Sequence, residues 1–84
     1  MRHARDEDLD VLEPLLADLR RLDGLTERRR GNFGRGSRAF LHFHEHHGGY
    51  FADVKLVDEF ERRPVSTRAE QRALVTEVRA ALRG

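Results

Sequence analysis

Cysteine is absent from the chain, which excludes disulfides, thiolate zinc sites and cysteine nucleophiles and removes any sign of an oxidising compartment. Long apolar runs are absent too: none approaches the ~18–20 residues of a membrane span. The opening Met1-Arg2-His3-Ala4-Arg5 leads into acidic residues rather than the apolar core of a signal peptide. A cytoplasmic protein without membrane association is expected by elimination. Hydroxyl groups are few, comprising Ser37, Ser66, Thr26, Thr67, Thr76 and Tyr50. None stands with a base and an orienting acid at a recognisable spacing, so a non-enzymatic protein without cofactor is expected.

What is present is a chain of 84 residues, enough for one hydrophobic core and one domain spanning 1–84. The net charge is +1, yet residues 1–27 carry eight acids against four bases, whereas residues 28–38 carry five arginines and no acid. An anion senses the patch it docks on more than the total. Lys55 is the one lysine among 16 basic residues; a GC-rich genome produces the same bias, so arginine usage alone does not signal phosphate recognition.

Leu9, Leu12, Leu15, Leu16, Leu19 and Leu22 recur every three or four residues, the pattern of an amphipathic helix. Asp10 and Glu13 have capping-box spacing, and Asp23-Gly24 supplies the stop. Pro14 leaves two options, a start near Asp8 to Asp10 or an earlier start with a kink at the proline. Leu25 to Ser37 is polar, basic and broken by Gly31, Gly34 and Gly36; a short strand near Thr26 to Arg30 and a turn are expected. Arg38 to Glu45 and Tyr50 to Val57 read as strands joined across Gly48-Gly49 in a hairpin. Asp58 to Arg63 extends the second strand or forms a short third one before Pro64. Thr67 and Glu70 mark a capping box for a helix running to about Arg83, with Leu74, Val78, Ala81 and Leu82 on one face. The expected fold is α+β: an N-terminal helix, an antiparallel sheet of about three strands and a C-terminal helix, both helices on one face of the sheet.

Strand alternation assigns Ala39, Leu41, Phe43, Tyr50, Ala52, Val54 and Leu56 to the core. The opposite face then presents Arg38, Phe40, His42 and His44 across from Phe51, Asp53 and Lys55. Rings mixed with cations on an open sheet can stack bases and neutralise phosphates. The expected nucleic-acid or anion-binding set is therefore Arg28, Arg29, Arg30, Arg35, Arg38, Phe40, His42, His44, Phe51 and Lys55. The alternative is that Phe40 and Phe51 form a cross-strand pair buried by a partner protein or a second copy of the chain. His42, His44 and His46 alternate along one strand, with Glu45 and His47 nearby. Ligands two apart lie roughly 6.5–7 Å apart along a strand, so without partners from another element no metal site is expected. Asp53 opposite His42 or His44 is expected to form an exposed cross-strand pair. Gly31-Asn32-Phe33-Gly34-Arg35-Gly36 matches neither the P-loop nor the dinucleotide fingerprint.

Three motifs, Gly24-Leu25-Thr26-Glu27, Arg38-Ala39-Phe40-Leu41-His42-Phe43-His44-Glu45 and Phe51-Ala52-Asp53-Val54-Lys55-Leu56, resemble the YjbR/MmcQ-like domains, also called CyaY-like or double-wing. These share a glycine after the first helix, a basic-x-Phe strand ending in an acid, and a following strand that ends in Lys-Leu or Leu-Lys. The resemblance covers Leu22 to about Arg63 and implies a small α+β fold with DNA binding and no catalytic residues. The chain differs in being shorter and in lacking the tryptophan-containing C-terminal region usual there.

Overall fold

The computed structural model describes residues 1–83. A two-residue strand, β1 (Arg2–His3), leads into two helices, α1 (Asp6–Val11) and α2 (Glu13–Arg20). The leucine stripe is thus carried by a broken helix, the earlier of the two possible starts. Pro14 has no N–H to return to the preceding turn, so the chain breaks at Leu12 (φ −87°, ψ 3°) and restarts with the proline in the first turn of α2. The cap also differs from the expected Asp10/Glu13 pair. Asp8 accepts the Arg5 backbone N–H at 2.8 Å and an Arg2 guanidinium N–H at 2.6 Å, and β1 is tied to α1.

Five strands follow the helices as an antiparallel meander: β2 (Thr26–Arg29), β3 (Asn32–Arg35), β4 (Arg38–His46), β5 (Gly49–Val54) and β6 (Glu61–Pro64). β1 pairs with the far end of β4, beyond β3, and completes a sheet of six strands rather than about three. β3 falls in the stretch expected to be a turn. Gly31 makes the β2–β3 turn at φ +80°. Gly34 leaves room for Arg28 to cross over it; a Cβ there would lie 2.5 Å from the guanidinium carbon. The glycines that hide the strand from a periodicity reading are what allow it to form. Pro64 closes β6 at the sheet edge, where its missing N–H breaks no ladder.

One irregularity reverses part of the expected face assignment. Phe33 pairs with Leu41 but Gly34 pairs with Ala39, so Phe40 is an extra residue in β4. This bulge turns Phe40 inward, to 3% exposure, and leaves Ala39 exposed. The expectation of Phe40 outside and Ala39 inside is corrected on both counts. Beyond the bulge the alternation holds: Leu41, Phe43, Ala52 and Val54 are buried, while Tyr50 and Leu56 pack partly against them.

The second capping box forms, Thr67 and Glu70 each accepting the other's backbone N–H at 3.0–3.1 Å, and α3 (Arg68–Arg83) follows. Leu74, Val75 and Val78 join Leu9, Leu12, Leu15, Leu16 and Leu19 over one face of the sheet. Gln71 is buried there with its amide satisfied: it donates to the Val65 carbonyl at 3.0 Å and accepts from Arg68 at 2.6 Å. Among the described residues the opposite face carries no helix. Among the described residues no helix is long and apolar enough to cross a membrane.

Candidate functional site

The helix-free face is ordered by the ladder. One cross-strand row runs His3, His44, Phe51, Pro64, and the next runs His42, Asp53, Arg62. Residues directly opposite one another point to the same side, so β4 and β5 bring His42 and His44 onto one carboxylate, with His3 of β1 beside them. His44 Nε2 lies 2.9 Å and His42 Nε2 3.5 Å from Asp53 Oδ2. The His3 ring stands 4.7 Å from that of His44 and 5.8 Å from that of His42, centroid to centroid. Arg62 holds the carboxylate from its far side, donating to both oxygens at 2.8 and 3.0 Å. Those hydrogen bonds outweigh partial burial and keep Asp53 below the usual carboxylate range. Burial, reinforced by His44, pushes His42 below its ordinary value against the pull of Asp53, which favours the neutral imidazole. Phe60 closes against the His42 ring at 5.2 Å.

A second arrangement lies where the β3–β4 turn meets the exit of β5. A cleft of about 310 Å³ opens between Arg35, Arg38, Ala39, Lys55 and Val57. A groove of about 290 Å³ runs beside Arg28, Arg29, Asn32 and His42, and Ala39 borders both. No acid lines either depression. Arg28 is braced over Gly34 by donating to the carbonyls of Gly36 and Arg38 at 2.7 and 3.3 Å, and Arg35 donates to the Ala81 carbonyl of α3 at 3.2 Å. Lys55 sits 5.8 Å from the Phe60 ring centroid. Among the described residues Arg28, Arg29, Arg35, Arg38 and Lys55 meet no carboxylate within 4.0 Å, whereas Arg2, Arg20, Arg30, Arg62, Arg63 and Arg68 all do.

The expected binding set therefore divides. Arg28, Arg29, Arg35, Arg38 and Lys55 come together as a cationic band. Arg30 does not join them, because it is spent on Asp10 at 2.8 Å and Glu13 at 3.0 Å. His42 and His44 belong to the Asp53 cluster instead. Phe40 lies in the core and cannot stack a base or seat a partner; Phe51 is half-buried in the row of His44. A docking face shared by Phe40 and Phe51 therefore does not exist. His46 and His47 pair with each other in the β4–β5 turn, rings 4.1 Å apart, away from the carboxylate. Sequence reading missed His3, Arg62 and Phe60. Nothing in a two-residue strand signals its pairing partner, and Arg62 is legible only once β6 is placed in register.

No family model, no curated protein and no solved structure matches the chain. The resemblance to the YjbR/MmcQ-like domains rests on its three short motifs alone.

Proposed function

We propose that the protein is a non-enzymatic module that binds the phosphates of a nucleic acid, DNA foremost, through Arg28, Arg29, Arg35, Arg38 and Lys55. The observation that carries this reading is the concentration of five cations without carboxylate partners around two adjoining depressions that contain no acid. Seven of the other eleven arginines face a carboxylate within 4.0 Å, whereas this corner, which no acid lines, leaves its charge available to an approaching polyanion. Bracing favours the role: Arg28 and Arg35 are held by carbonyls that leave their charge uncompensated. With Phe40 in the core its ring is not presented for stacking among the cations, so the contact we propose is with the backbone and selects for charge rather than base sequence. The DNA-binding character implied by the family resemblance points the same way.

Fluorescence anisotropy with labelled mixed-sequence oligonucleotides, single- and double-stranded, at 50 mM salt tests the reading. Binding is expected, and the double variant R38A/K55A should weaken it roughly tenfold or more, since two phosphate contacts are lost. Absence of binding at low salt, or equal affinity of the double variant, refutes it.

A further inference from the structure

We propose that His42, His44 and Asp53 form a binding site for a divalent transition-metal ion of the zinc, nickel and cobalt class, with His3 placed to supply a fourth ligand. Each of the three contributes one ligand atom, and these atoms lie within 4.8 Å of one another. Around one ion with bonds of about 2.1 Å, neighbouring ligand atoms stand about 3.0–3.4 Å apart. The separations of 2.9 and 3.5 Å to Asp53 Oδ2 already match two edges of that polyhedron. The two histidines alone would be held apart by the strand repeat; the partner that draws them onto one centre comes from β5, directly opposite His42.

His44 carries the second observation. Its Nε2 is shut off from solvent, yet it makes no hydrogen bond despite lying 2.9 Å from Asp53 Oδ2, because the contact is misdirected for one. A buried polar atom without a partner is costly. A cation seated between the imidazole nitrogen and the carboxylate oxygen would satisfy both. Two imidazoles and one carboxylate suit borderline ions rather than calcium or magnesium, which take all-oxygen sets. Arg62 fixes the carboxylate orientation by donating to Oδ1 at 2.8 Å and, at 3.0 Å, to Oδ2, the oxygen that faces the histidines. The His3 ring centroid lies 4.7 Å from that of His44, and His3 is exposed on β1 at the edge of the cluster.

The test uses the purified 84-residue chain with metal ions alone. Calorimetry with Zn²⁺ and Ni²⁺ should give one ion per chain, with no heat from Mg²⁺ or Ca²⁺. Asp53→Asn, which preserves shape, should lower the affinity at least tenfold, whereas the double variant H46A/H47A should leave it unchanged. A measurement on the unaltered protein guards against a misfolded variant: on adding Zn²⁺, the ring ¹⁵N resonances of His42 and His44 should shift, and those of His46 and His47 should not. No binding by the unaltered chain, or binding that follows His46 and His47 instead, overturns the proposal.

Discussion

Replacing Phe40 with alanine separates the two possible faces of β4 most sharply. On an outward face the change would remove an exposed ring and cost well under 1 kcal/mol. The bulge instead places the ring in the core at 3% exposure, packed with Phe33, Leu41 and the helical leucines. Truncation there removes the transfer free energy of the ring and leaves a cavity, together about 3–5 kcal/mol. A domain of this size has a total stability of only ~4–12 kcal/mol at ~0.05–0.15 kcal/mol per residue. The loss is therefore a large share of the whole and lowers the melting temperature by about 12–40 °C at ~4–8 °C per kcal/mol. Urea unfolding followed by far-ultraviolet circular dichroism reads it directly. Ala39→Ser is the control: its side chain is exposed, so it should stay within about 0.5 kcal/mol of the parent. A loss below 1 kcal/mol for Phe40→Ala, or a larger one for Ala39→Ser, refutes the bulge and the face assignment with it.

Gly31→Ala should destabilise by at least about 1–2 kcal/mol, because φ +80° is strained for a side chain and the new Cβ would come 2.6 Å from Leu9; a neutral result in thermal melts would contradict the β2–β3 turn. Thr67→Ala should cost about 1 kcal/mol by deleting the acceptor for the Glu70 N–H, whereas an unchanged urea midpoint would count against the capping box. For Asp8, burial pulls the carboxyl upward, but hydrogen bonds from Arg2 and the Arg5 amide outweigh it, and the net direction is below the ordinary value. Its folded value being the lower one, the stability it adds is full above the unfolded pKa of about 3.9 and disappears as pH falls through the folded value. Urea midpoints between pH 5 and pH 2 should fall less steeply for Asp8→Asn than for the parent, and parallel profiles would sink the assignment.

The sequence carries the helices clearly because the leucine stripe and the Thr67/Glu70 box are local signals that packing reinforces. The hairpin of β4 and β5 was legible for the same reason, and with it the placing of Asp53 opposite His42. β3 was not, because three glycines erase periodicity while supplying the turn and the clearance for Arg28 that the strand needs. Phe40 was misplaced because alternation assumes an unbroken ladder, and a single inserted residue reverses the face without leaving a mark in composition. In the binding set the cations at 28, 29, 35, 38 and 55 were visible as charge, but the removal of Arg30 by Asp10 and Glu13 depends on how α1 and α2 sit against β2. The histidine cluster lacked only its long-range members: His3 lies 39 residues before His42 in the sequence, and its pairing is a tertiary fact.

The claim that the cationic band holds phosphates is tested most directly by the dependence of oligonucleotide affinity on salt. Counting Arg28, Arg29, Arg35, Arg38 and Lys55 as phosphate contacts, the slope of log K against log salt should be about −3.5 to −4.5, a loss of roughly 100- to 500-fold between 50 and 200 mM. A slope near zero, or one unchanged in the R38A/K55A variant, would contradict the account.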